Sequence, residues 1–229
     1  MPRPRPDSTA DGPAEESAAK EGRERRAHWQ AIYAIKGEHG VSWFQDCPEP
    51  SLTLIQEIGS SSSGIIDMGG GASRLVDGLL RSGFRDLTVL DLSSSALAAA
   101  QVRLRGAAEQ VRWIVADATG WTPARSYDIW HDRATFHFLV AEDDRAAYLA
   151  RLGSALRPGG HAIFATFAPD GPERCSGLPV MRYDSQRLGQ ALGPRFRSVS
   201  TLRHEHVTPW GSRQAFQYSV FRHRPGLAP

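Results

Sequence analysis

Apolar positions along this chain follow two rhythms. From Arg25 onward Trp29, Ile32, Tyr33 and Ile35 fall near helical spacing, which predicts an amphipathic helix. An aromatic loop, VSWFQDCPEPSL, follows with Pro48 and Pro50, and a second short helix is expected from Ser51 to Ile58. Beyond it the pattern changes to short continuous apolar runs: GIIDM, LTVLDL, VRWIVAD, SYDIWHD and HAIFATF. Runs of this kind, bounded by turn residues, fit strands buried on both faces. Helices are expected between them: from Ala72 to Arg81 with Gly83 ending it, from a cap among Ser93, Ser94 and Ser95 through Leu104, and from Asp143 to Leu156, stopping at the RPGG turn. A further helix from Ser185 to Leu192 precedes two strands, FRSVSTLRHEH and RQAFQYSVFRH, which the TPWGS turn joins into an antiparallel hairpin.

Five strands alternating with helices predict an α/β architecture, a doubly wound and mostly parallel sheet covered on both faces. The terminal hairpin raises the strand count to seven. Residues 1–24, rich in Pro, Ser, Ala and charge without apolar periodicity, read as a disordered tail ahead of one domain over 25–229, whose first part, 25–60, forms a helical lid.

Composition narrows the setting rather than the function. The 229 residues are 41% hydrophobic and 23% charged, ordinary for a globular domain. A net charge of +2 gives no general attraction to nucleic acid or to a membrane surface. The N-terminal stretch carries no apolar run, and Cys47 and Cys175 are far apart, so a cytoplasmic protein with free thiols is expected.

The chemistry concentrates at strand ends. Asp67-Met68-Gly69-Gly70-Gly71 closes the first strand, where small residues let the backbone approach a ligand and turn into a helix. Asp91 ends the second strand, where a carboxylate can accept both hydroxyls of a ribose, and Asp117 ends the third, where an acid can take an adenine amine. A dinucleotide fingerprint would need a third glycine where Arg74 stands, and no phosphate loop of the G-x-x-x-x-G-K-[ST] kind occurs. Asp67 would repel phosphate but suits the ammonium of an amino acid. An adenosine bearing an ammonium and no phosphate is S-adenosylmethionine (SAM), the cofactor these residues predict.

Asp67-x-Gly69-x-Gly71, Asp91, Asp117 and the Arg157-Pro158-Gly159-Gly160 turn resemble the class I SAM-dependent methyltransferases, over roughly Trp29 to Arg222. That resemblance implies their Rossmann-like fold, with Asp67 and Gly69 at the methionine part, Asp91 at the ribose, Asp117 with Ala118 at the adenine, and Gly71 and Leu92 among the cofactor-binding residues. The segment from Trp29 through SWFQ is similar to the lid of small methyltransferases in the branch that includes some lysine methyltransferases. In that lid Trp43 and Phe44 are candidates to cover the cofactor, since a sulfonium favours aromatic faces.

On the acceptor side the densest polar stretch is Asp128-Ile129-Trp130-His131-Asp132-Arg133. His131 is the candidate base or a contact of the cofactor, Asp132 its orienting acid, and Arg133 a fork for an acceptor carboxylate. Where DNA adenine methyltransferases carry Asn-Pro-Pro-Tyr this chain has WHDR, and it lacks a basic stripe, so nucleic acid is excluded as acceptor. His204, His206, Cys175 and His137 lack the tight ligand pairs of a structural zinc site, so no metal is expected. Asp128 and His161 read as structural. The long stretch 168–183 suits substrate contacts. A methyltransferase acting on a small molecule leads; a protein side-chain (lysine or histidine) methyltransferase and a SAM-binding module without catalysis are the alternatives.

Overall fold

The computed structural model describes residues 13–224, with side chains from residue 20 onward. Helix α1 (Pro13–Lys36) and α2 (Ser51–Ile58) lead into β1 (Gly64–Met68), α3 (Leu75–Arg81), β2 (Asp86–Asp91), α4 (Ser94–Leu104) and β3 (Val111–Val115). Then come β4 (Tyr127–Arg133), α5 (Glu142–Ala155), β5 (Leu156–Phe167), a small hairpin of β6 (Arg174–Cys175) and β7 (Leu178–Pro179), α6 (Ser185–Leu192), β8 (Phe196–Val207) and β9 (Arg213–His223). Seven strands form one sheet in the order β3-β2-β1-β4-β5-β9-β8. The first five run parallel, and β9 pairs antiparallel with both β5 and β8. Chain order reverses between β1 and β4, which opens a crevice at the carboxyl ends of the strands.

The apolar runs form buried strands because each face of the sheet has a helical cover. One core joins Trp130, Phe164 and Phe221 to Tyr148 and Leu152 of α5 and Leu188 of α6. The other joins Ile65, Val89 and Ile163 to Ile55 of α2, Leu75 and Leu79 of α3 and Leu97 of α4. No helix among the described residues is long and apolar enough to cross a membrane.

Three local expectations change. Helix α1 begins at Pro13, so residues 13–24 are helical where composition predicted a disordered tail; residues 1–12 of that tail lie outside the described residues. Its Ala, Glu, Lys and Arg content favours helix, proline suits the first helical position, and Lys20 and Glu24 pair one turn apart at 3.9 Å. The RPGG segment does not stand outside the sheet. Strand β5 starts directly after α5, and pairing jumps from Tyr127–Leu156 to Ile129–His161, so the turn residues are absorbed as a bulge. The stretch 168–183 holds a hairpin across Ser176 and Gly177, with positive φ at both (49° and 80°), as a two-residue turn of this hand requires.

Candidate functional site

The loop after β1 is shaped by its glycines. Gly69 and Gly71 take φ values of +66° and +47°, and the Gly69 and Gly70 amides donate to the Leu90 carbonyl at 2.7 and 3.2 Å. A Cβ on Gly69 would stand 1.9 Å from Thr135 Oγ1, and one on Gly71 would stand 2.8 Å from Tyr33 Oη and 3.0 Å from Asp91 Oδ2. Glycine is therefore required by both backbone and neighbours. Above this loop lies a cavity whose empty space, open mouth included, is about 810 Å³. Its walls come from the ends of β2, β3 and β4, from α1 and the loop after it, and from β6.

Of the residues singled out in the sequence, Trp43, Gly69, Asp91, Leu92, Asp117, Ala118 and Arg133 line this cavity. Asp91 is 7% exposed; its Oδ1 accepts from the Ser93 amide at 2.7 Å. Burial pushes the Asp91 carboxyl up to about 7, with the charge of Asp67 adding to the effect and the Ser93, Leu92 and Gly71 amides opposing it. Asp117 is already engaged. Its Oδ1 accepts from the Thr119 amide and hydroxyl at 2.9 and 2.7 Å, and its Oδ2 accepts from Arg25 at 3.1 Å.

Helix α1 forms the roof. Arg25 bridges Asp117 and Asp144, while Gln30 accepts from the Ser93 hydroxyl at 2.8 Å and donates to Ser94 at 3.0 Å. Ser93 is also the cap of α4, accepting from the Ala96 amide at 3.2 Å, so one serine fixes both helices. Trp29, Tyr33 and Trp43 complete the roof: the Trp43 indole donates to Tyr33 Oη at 3.3 Å, and Trp29 packs edge-on against Trp43 and Phe138. Arg25 and Trp29 are not among the site residues expected from the sequence, where they read as the start and the apolar face of an amphipathic helix. Phe44 lies outside the cavity, packed against His39 and beneath the Arg74 guanidinium.

The structure separates His131 and Asp132 from this cavity, against expectation. His131 is 2% exposed, and both ring nitrogens are taken: Nδ1 by Asp67 at 2.7 Å and Nε2 by Ser51 at 2.9 Å. A ring so tied has no nitrogen free to receive a proton from an acceptor. Register is the cause, since His131 lies two residues short of the end of β4, beside Asp67 in the β1–β4 pairing, and shares its buried surroundings. Asp132 is fully buried and accepts from the Thr135 and Phe136 amides at 3.0 Å each and from the Tyr148 hydroxyl, which in turn accepts from Trp130. It orders the loop after β4 rather than orienting His131. Asp67 is buried against His131, and Gly71 lies beneath Tyr33 and Asp91, two residues of the cavity wall. His204 packs on Tyr218, and His206 donates to the Ser42 carbonyl at 2.6 Å, which ties the terminal hairpin to the loop after α1.

Residues 65–160 match the family model of a methyltransferase domain. The matched segment covers less than half of the chain, 65–160 of its 229 residues. It contains β1 through the start of β5, and so the glycine loop and the acids at the strand ends. Solved structures of SAM-dependent methyltransferases share its architecture. A Burkholderia thailandensis 1,6-didemethyltoxoflavin N1-methyltransferase, solved with its ligand and S-adenosylhomocysteine (SAH), aligns over 95% of this chain and 93% of its own at a TM-score of 0.65 and 20% identity. A structure from work on conversion of a disulfide bond into a thioacetal group during echinomycin biosynthesis aligns over 87% and 93%, at 0.70 and 20% identity. A curated relative, a Drosophila melanogaster eEF1A lysine and N-terminal methyltransferase homolog, is 25% identical over 143 residues. That match covers 59% of this chain and only 21% of the relative.

Proposed function

We propose that the chain transfers the methyl group of SAM to a small-molecule acceptor held inside the cavity under α1. The observation that carries this reading is the cover over the strand ends: helix α1, Trp43 and Cys175 wall the cavity around them, so an acceptor reaches the methyl group through a mouth flanked by these residues. The residues present fit SAM. A buried carboxylate, Asp91, lines the cavity at the end of β2, a place that suits ribose hydroxyls. Among the lining residues there is no glycine cradle of the phosphate-binding kind, which suits a nucleoside without phosphate.

Bound in this cavity, SAM supplies an electrophilic methyl on a sulfonium. The chain's own residues supply position. Asp91 orients the ribose, Leu92 and Ala118 flank the adenine, and Asp117 reaches the adenine edge beside its contact with Arg25. Trp29, Tyr33 and Trp43 exclude water and present aromatic faces to the positive sulfonium. With His131 and Asp132 locked in the core, transfer depends on alignment of acceptor and donor rather than on a base from β4.

Protein methylation is the second reading, favoured by the name of the Drosophila relative. SAM labelled in its methyl group, incubated with the protein and an extract of the source cells and then separated by size, distinguishes them. Label in small products is expected. Label confined to macromolecules would replace the first reading with the second, and SAH binding without any label would leave a binding module.

A further inference from the structure

Arg133, the last residue of β4, is held in an unusual electrostatic position. Its Nη1 donates to the Trp43 carbonyl at 2.9 Å, and its guanidinium carbon lies 5.1 Å from the centre of the Phe216 ring. Nε and Nη2 are shut off from solvent and have no partner. These two nitrogens form one edge of the guanidinium, with parallel N–H bonds spaced to meet the two oxygens of a carboxylate. Arg25, the other arginine lining the cavity, is bonded to two aspartates, whereas Arg133 makes no ion pair among the described residues.

The groups around Arg133 do not offset its charge. His137 is fully buried, with Nδ1 accepting from the Phe167 amide at 3.4 Å and Nε2 unpartnered. Burial, aided by the charge of Arg133, pushes His137 down to about 3 and His206 down to about 4, so both are neutral near pH 7. A guanidinium edge closed to solvent and without a partner is costly unless an anion completes it.

We propose, building on the methyl-transfer reading, that the acceptor carries a carboxylate and that the free Nε–Nη2 edge of Arg133 seats it. A single monoanion balances a single guanidinium, whereas a phosphate dianion would call for a second cation, and the cavity's other arginine, Arg25, is already bonded to two aspartates. The source of the carboxylate follows from sheet order. The strands run β2-β1-β4-β5-β9, and Arg133 stacks on Phe216 of β9, two strands beyond β4 and away from Asp91 on β2. The guanidinium therefore leans from the end of β4 toward β9, on the side of β4 opposite Asp91. The methionine carboxylate of SAM is the competing source, and the test separates the two.

The SAH-loaded protein would be titrated with formate, acetate and benzoate at constant ionic strength, with benzamide as the uncharged control, and read by calorimetry and Tm. Wild-type protein is expected to bind the carboxylates and not benzamide. Arg133→Gln and Arg133→Lys should weaken the carboxylates about 10- to 100-fold, the loss of a charge-assisted hydrogen-bonded pair. SAH affinity should stay within about threefold of wild type in both variants. Carboxylates that do not bind, or that bind the variants equally well, overturn the inference. A parallel loss of SAH affinity in both variants, absent for decarboxylated SAH, assigns the edge to the cofactor and also overturns it. Failure of the wild-type protein to bind SAH would instead sink the methyl-transfer reading itself. Arg133→Lys keeps the charge and the stem, so a folded variant is available if the glutamine variant is unstable.

Discussion

Replacing Asp91 with Asn is expected to move stability and cofactor affinity in opposite directions. The carboxylate is 7% exposed, and burial lifts it from 3.8 to about 7. The folded state therefore holds the proton more tightly than the unfolded chain. Asp91 favours folding below pH 3.8, and that contribution is lost as the pH climbs to about 7. At pH 8 the ligand-free protein carries a buried charge at a cost on the order of 4 kcal/mol, from ~1.36 kcal/mol per pH unit across that interval. Asparagine has the same shape, can still accept from the Ser93 amide and carries no charge. Its Tm at pH 8 should exceed that of wild type by roughly 5 °C or more, and the gap should close toward pH 4. Affinity should fall. A carboxylate can accept two charge-assisted hydrogen bonds from ribose hydroxyls, and asparagine preserves one neutral acceptor at best. A loss of about 2–4 kcal/mol, roughly 30- to 1000-fold in SAH affinity, follows. Scanning calorimetry of stripped protein at pH 4 and pH 8, with SAH titrations at pH 8, measures both. A variant less stable than wild type at pH 8 would refute the buried-charge reasoning, and unchanged SAH affinity would remove Asp91 from the ribose.

His131→Leu should lower stability by about 2–4 kcal/mol, because it strands the buried Asp67 carboxylate and the Ser51 hydroxyl, while the pH profile of methyl transfer keeps its shape; thermal melts and a pH–rate series check this, and a loss of an ionisation with unchanged Tm would return His131 to the chemistry. Gly69→Ala should cost about 1–3 kcal/mol, since its Cβ would stand 1.9 Å from Thr135 Oγ1 at a φ of +66°. Adding Thr135→Ala should recover part of that loss in Tm, and a single variant as stable as wild type would mean that the loop relaxes freely.

The parts of the fold that the sequence made legible are those set by local pattern. Buried strands such as GIIDM and HAIFATF announce themselves because both faces must be apolar, and Ser51–Ile58 and Ser185–Leu192 form helices over the expected residues. Glycines at 69 and 71 mark a loop that only glycine can build, and their position after an apolar run places that loop at a strand end. The hairpin at Cys175–Leu178 had a local signal too, the Ser176-Gly177 pair, within a stretch otherwise read only as a long loop.

Residue type and strand position together brought Asp91, Asp117, Ala118 and Arg133 to the cavity, because a strand's carboxyl end is a topological address that sequence order carries. They could not decide which way His131 points. His131, Asp132 and Arg133 are consecutive, and only the register of β4 between β1 and β5 assigns Asp67 to His131, Tyr148 to Asp132 and the cavity wall to Arg133. Nor could periodicity reveal that Arg25, 92 residues before Asp117 in the chain, would close on it across the cavity mouth. The sequence by itself determined the elements, their order and the chemical character of the strand ends, since these depend on neighbours a few residues apart. The tertiary structure alone decided which polar groups are satisfied in the core and which are left facing a ligand, since that depends on partners brought together from distant parts of the chain.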